Sequence, residues 1–157
     1  FSTVVDWPGF GIGAKGNAGV ASEVMHIPNA IGYVEYAYAL QNHLTTIKMV
    51  NQSGHAVVAN AASFASAAKS AHWKASNSFY LILTNQPGKA SWPIVATTFI
   101  LMPKNQAVSI NTAALHFFKW SYVQGQSMAK KLDYVPIPQS VYQKIEANGQ
   151  KTLHIKL

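Results

Sequence analysis

Apolar positions recur along this chain in two rhythms, one near 3.6 residues and one near two, and the switches between them mark its elements. Residues 1–8 read as extended or loop, and 9–16 are too glycine-rich for a regular element. Asn17 is placed to cap a helix running to about His26, with Val20, Val24 and Ile27 on one face. Pro28-Asn29 ends it. The aromatic and β-branched run 31–36 predicts a strand, and 37–42 a short helical turn. A second strand is predicted at 45–50, followed by a turn at Asn51-Gln52-Ser53-Gly54. A helix over 61–71 turns Phe64 and Ala68 inward. Residues 79–83 read as a strand, 85–88 as a turn, and 94–101 as the longest strand of all. Asn111 is placed to cap a helix over 112–124 with an apolar stripe of Ala114, Leu115, Phe118 and Tyr122. After Gly125, residues 128–132 continue helically, and Pro138 opens a last helix to about Asn148 with Val141, Ile145 and Tyr142 inward. Helices and strands alternate, so the predicted class is α/β.

Composition changes this picture in two ways. The 157 residues suit one ordinary domain, yet only 11% are charged, well under the usual quarter. So mild a surface fits a secreted protein or a piece that packs against another piece. The net charge is +7, from twelve lysines, no arginine and five acids. A protein that reads bases favours the planar fork of Arg, and only Lys130-Lys131 are adjacent, so the lysines read as a solvated surface and not a nucleic-acid face. The chain has no Cys, which excludes disulfides and thiolate sites. No apolar run approaches the roughly 20 residues that span a bilayer. The start at Phe1 carries no signal peptide and suggests a mature or cut N-terminus.

Candidate chemistry is sparse. Gly11-Ile12-Gly13-Ala14-Lys15-Gly16 fits G-x-G-x-x-G before a helix, the pattern of a nucleotide phosphate cradle. Asp6-Trp7-Pro8-Gly9 before it is no buried strand, and Asn17 stands where a P-loop needs Lys, so a tight loop is the plainer reading. None of the six His belongs to a metal-binding motif, and the default for them is a solvated or core-edge role. Glu35, inside an aromatic stretch, would need a partner such as Lys15 if buried. Asp133, before Tyr134-Val135-Pro136, suits a turn or cap. Ser53-Gly54-His55 lacks the G-x-S-x-G elbow of a hydrolase nucleophile.

Four collinear stretches carry a family resemblance. They are Trp7-Pro8 with residues 13–20; Ile31-Gly32-Tyr33-Val34-Glu35-Tyr36-Ala37-Tyr38-Ala39; Trp92-Pro93-Ile94 with 97–101; and Phe117-Phe118-Lys119-Trp120 with 132–138. In this order the chain resembles the C-terminal half of the PstS-type periplasmic phosphate-binding proteins, the receptors of phosphate ABC transporters. The resemblance implies a two-lobed, Venus-flytrap (type II) α/β fold closing over inorganic phosphate. It implies that residues 1–91 finish the second lobe and 92–157 cross a hinge at Trp92, Pro93 and Ile94 to complete the first. A fixed proline φ suits such a crossing; the plain alternative is a proline opening a strand.

The family holds phosphate with helix N-termini, Ser and Thr hydroxyls, one Arg and one Asp, around a Gly-Ser-Gly-Thr run. This chain has neither an Arg nor that run, so no phosphate ligand is assigned to any residue here. The resemblance implies a binding protein and not an enzyme, without cofactor or metal. Its partners would be phosphate in the full-length form, a membrane permease and the missing N-terminal half, and its location periplasmic. Two other readings stay open: a nucleotide-dependent enzyme using Gly11–Gly16, and a non-binding structural fragment that dimerises or pairs with its other half. A lone half is expected to leave sheets short of strands and apolar faces uncovered.

Overall fold

The structure, a computed structural model, describes Trp7, Gly9 and residues 11–156. The expectation for 1–8 therefore falls outside the described residues except at Trp7. The chain divides into two units, Phe1–Thr46 and Ile47–Leu157.

In the first unit, α1 (Gly16–His26) and α2 (Tyr36–Gln41) are the regular elements among the described residues. Helix α1 begins two residues earlier than its pattern predicts. Lys15 occupies the cap position and makes no side-chain cap bond. Asn17 does something else: its Oδ1 accepts the Glu35 backbone N–H at 2.8 Å. The distant donor wins because that N–H, at the cap of α2, has no helical acceptor of its own. Val20 and Val24 face Gly32 so closely that a Cβ there would lie 2.9 and 2.7 Å from their methyl carbons. This approach needs glycine. The predicted strand at 31–36 has no ladder; the segment runs irregularly from Ile31 to Glu35 and turns helical at Tyr36.

The second unit opens with a hairpin, β1 (Lys48–Val50) and β2 (Ala56–Val58), antiparallel with Met49 opposite Val57. Asn51 turns it. Its backbone N–H donates to His55 O at 2.9 Å, and its Oδ1 accepts from the N–H of Ser53 and His55. Helix α3 (Ala61–Ser70) starts at a capping box: Asn60 Oδ1 accepts the Ser63 N–H at 2.9 Å, and Ser63 Oγ accepts the Asn60 N–H at 3.1 Å. Ala67 and Ala68 are buried, and Phe64 is only half-buried. A 3₁₀ turn at Ala75–Asn77 follows.

Three helices complete this unit: α4 (Val108–Val123), α5 (Gln126–Lys131) and α6 (Gln139–Leu153). Helix α4 starts four residues before its predicted start, at the cap Ala107. Asn111 is buried inside it, and its Nδ2 donates to Pro103 O at 3.0 Å. The cap prediction fails because Asn111 folds back on the incoming chain. Asp133 takes up φ 62°, the left-handed turn after α5 that an Asp tolerates. Pro138 sits at the cap of α6, one residue ahead of the first-turn position expected for it.

The core of this unit gathers Ala71, Trp73, Phe79, Leu83 and Val141, with Leu81, Val95, Ile137 and Ile145 against them. The Trp73 indole N–H is satisfied by Ala68 O at 2.7 Å. Class and content are therefore mixed, with helix dominant and two strands among the described residues. The strands predicted at 79–83 and 94–101 form no ladder, and the one predicted at 45–50 is shortened to Lys48–Val50.

Candidate functional site

The sequence-derived candidate is the crossing at Trp92, Pro93 and Ile94. The structure ties its approach down at both ends. Asn51, buried at the hairpin turn, sends its Nδ2 to three carbonyl oxygens: Gly88 at 3.0 Å, Lys89 at 3.0 Å and Ser91 at 3.1 Å. An amide NH₂ has two protons, so one of them is shared. Ser91 is fully buried, donates its hydroxyl to Pro87 O at 2.7 Å and meets Ser66 Oγ at 3.3 Å. The Trp92 N–H donates to Ser63 O at 3.2 Å. Helix α3 and the β1–β2 turn thus hold residues 87–92 through half-buried hydrogen bonds and the buried one from Asn51 to Ser91, which would cost free energy to leave unmade.

Gly88 fits this knot for two reasons. Its φ of +114° suits glycine, and a Cβ would lie 2.8 Å from Ser91 Oγ and 3.0 Å from Ser70 Oγ. Trp92 and Pro93 are buried, and the Trp92 ring meets Phe64 edge-on at 6.3 Å. At Ile94 the chain emerges and the side chain is exposed. The backbone hydrogen bonds of this stretch therefore end at Pro93, although Val95 returns to the core.

The remaining candidates are dispersed. Gly11, Gly13 and Gly16 stand in open space, with Gly16 at φ +65°, and among the described residues no strand precedes α1. The strand-loop-helix context of a nucleotide cradle is thus missing from the described residues. Glu35 is exposed, so it needs no buried partner. Among the described residues no three metal-ligating side chains converge, and no helix is long and apolar enough to cross a membrane. Two open clefts lie in the second unit. One of about 410 Å³ separates Ala61, Ala62 and Ala65 from Lys130 and the 134–139 stretch. One of about 400 Å³ sits between the hairpin and α3 beside Lys48, His55 and Lys89.

Sequence reasoning turned Tyr122 and Tyr142 inward but did not bring them together between α4 and α6. The Tyr122 and Tyr142 rings lie 4.7 Å apart. The Tyr142 hydroxyl is closed off from solvent and makes no well-formed hydrogen bond. Burial first, and then the nearby Glu146 carboxylate, push its pKa up to about 12. Burial also raises Tyr122. Glu146 is itself held by Lys119 at 3.4 Å. The spacing of Tyr122 on one stripe and Tyr142 on another was visible, but not that they would meet.

No family model matches the chain. Individual proteins do. It is 49% identical over 146 residues to the Phosphate-binding protein PstS of Xylella fastidiosa, covering 92% of this chain and 40% of that protein. It is 46% identical over 144 residues to the protein of the same name from Pasteurella multocida, covering 91% and 42%. It is 31% identical over 140 residues to Phosphate-binding protein PstS 3 of Mycobacterium tuberculosis, covering 83% and 37%. The chain spans about two fifths of the length of these curated relatives.

Proposed function

Because the chain belongs with the PstS phosphate-binding proteins over nine tenths of its length, we propose that it is the C-terminal portion of a phosphate receptor serving an ABC transporter. The observation that carries this is the 49% identity maintained over 92% of the chain. The whole receptor would be two-lobed and extracytoplasmic, would close over inorganic phosphate, and would then dock on a membrane permease. It would bind without catalysing. In this reading residues 1–91 belong to the second lobe, 92–157 return to the first, and Trp92-Pro93-Ile94 form one hinge strand.

The geometry supports the hinge in a specific way. Hinges concentrate φ/ψ change in a few residues between parts that move as bodies. Here the chain is anchored up to Pro93 by Asn51, Ser63 and Ser91, and Ile94 is exposed before Val95 returns to the core. The proline limits rotation on the anchored side. The chain by itself lacks Arg and the hydroxyl-rich glycine run, so phosphate would be gripped by residues it does not contain.

The test is a chimera in which this chain replaces the matched region of the Xylella fastidiosa protein. Equilibrium dialysis with labelled phosphate should show saturable binding by the chimera. A well-folded chimera that fails to retain phosphate would refute the reading.

A further inference from the structure

One side chain in the second unit holds two cationic residues together. Asn51 Oδ1 accepts the His55 N–H at 3.1 Å, and Asn51 Nδ2 donates to Lys89 O at 3.0 Å. The hairpin turn and the 87–92 stretch are thereby pinned side by side. His55 and Lys89 line one cleft of about 400 Å³, and Lys48 of β1 lines it with them. All three residues are exposed. His55 Nδ1 lies 2.8 Å from Ser53 O, so Nδ1 donates its proton there and the ring presents Nε2 outward to a partner.

No carboxylate answers these charges. Among the described residues no Asp or Glu lines the cleft. The sequence has none between Glu35 and Asp133, a stretch that holds eight lysines. Cations gathered in a concavity without a counter-charge focus their field on an anionic visitor. The floor between them is small and apolar, with Ala56, Ala62 and Ala90. A small anion is held by a site that closes around it, and this cleft is open. A bilayer presents a broad flat face, which does not follow a concave floor. An acidic stretch of protein matches both features, with carboxylates toward the cations and its apolar parts on the floor.

We propose that the cleft between the β1–β2 hairpin and α3 is a docking site for an acidic segment of a partner protein. Lys48 and Lys89 take its carboxylates through charge-assisted hydrogen bonds, and His55 offers Nε2. Asn51 is a positioning residue, which sets His55 and Lys89 side by side without touching the partner. The lining lies within residues 48–90, on one side of the Trp92-Pro93-Ile94 crossing. The proposal therefore stands independently of the hinge and of phosphate binding.

Fluorescence anisotropy of a labelled peptide of alternating glutamate and valine tests this on the 157-residue chain. Binding should be saturable and should weaken as salt rises. Lys48→Glu combined with Lys89→Glu should weaken it about a hundredfold. Lys69→Glu combined with Lys74→Glu makes the same change in net charge at exposed positions outside the cleft, and should weaken it less than about threefold. Asn51→Ala removes no charge, yet should weaken binding about tenfold at a temperature where circular dichroism shows the variant folded. The lysine variants carry the test if it does not fold. Equal losses for the two lysine pairs would reduce the effect to net charge and overturn the proposal. Absence of binding at millimolar peptide would also overturn it. Displacement of the peptide by inorganic phosphate beyond that by sodium chloride of equal ionic strength would assign the cleft to a small anion instead. Phosphatidylglycerol vesicles that bind through Lys48 and Lys89 more tightly than the peptide does would assign it to lipid, and either result would overturn the proposal.

Discussion

The Asn51 side-chain amide donates to the backbone oxygen of Ser91 at 3.1 Å across forty positions of sequence, and through it the β1–β2 turn holds the approach to Trp92. Replacing Asn51 by Ala removes the donor for three carbonyls and the acceptor for two N–H groups of the turn. Its loss should cost about 2–3 kcal/mol in urea unfolding. Asn51→Asp keeps the acceptor, loses the donor and buries a charge, so it should be at least as damaging at neutral pH. A loss under about 0.5 kcal/mol for both would show that the anchor contributes nothing.

Two glycines with positive φ separate strain from crowding. Gly54, at φ +76°, has nothing near its missing Cβ, whereas Gly88, at +114°, would press a methyl group against Ser91 and Ser70. Gly54→Ala should cost about 1 kcal/mol for conformation alone. Gly88→Ala should cost roughly 2–3 kcal/mol and loosen the 87–92 stretch, seen as faster amide exchange there. Equal losses at the two positions would remove the steric part of this explanation.

The α4–α6 contact makes stability depend on alkaline pH. The unfolded chain releases the Tyr142 proton near the ordinary value of 10, while the folded chain holds it until about 12. Between those values the unfolded state binds fewer protons, so stability falls as pH rises from 10 to 12 and is indifferent to this group below 10. Tyr142→Phe should flatten that decline and be nearly neutral at pH 7, since the hydroxyl it removes makes no well-formed bond. Urea midpoints at pH 8 and pH 11 for both proteins check this. An identical drop in both would assign the alkaline loss elsewhere.

The start of α3 is a reciprocal pair and should behave as one. Asn60→Ala should cost about 1 kcal/mol, and Ser63→Ala somewhat more because the Ser63 hydroxyl also donates to Val58 O at 2.7 Å. The double variant should lose less than the sum of the two. Strict additivity, measured by thermal unfolding, would mean that the two cap bonds act independently.

What the sequence made legible follows from range. The helices α3, α5 and α6 and the turn at 51–54 depend on local periodicity and turn chemistry, and they stand within a residue or two at most of their boundaries. The exception is the end of α6, which runs on to Leu153. The misplaced caps have a common cause: Asn17 and Asn111 each spend their side chain on a more distant backbone group, a choice that no spacing rule encodes. The strand at 56–58 lay in a stretch that the pattern left unassigned, although a turn beginning at Asn51 after a strand was a signal for a returning partner. At the site, the Trp92-Pro93 motif was readable, but the Asn51 anchor was not, because asparagine after a strand signals only a turn. The strands expected at 79–83 and 94–101 do not form, for Phe79 takes up φ 58° and neither segment joins a ladder. A pattern names the face of a strand, while a ladder also requires a neighbour.

We propose that this chain supplies part of a phosphate receptor, the Trp92-Pro93-Ile94 crossing included, without the grip on phosphate. Calorimetric titration of inorganic phosphate into the 157-residue chain and, in parallel, into the Xylella chimera tests it most directly. The chain alone should give no binding heat up to millimolar phosphate, and the chimera should give a saturable isotherm with one phosphate per molecule. Submicromolar binding by the chain alone would contradict the claim.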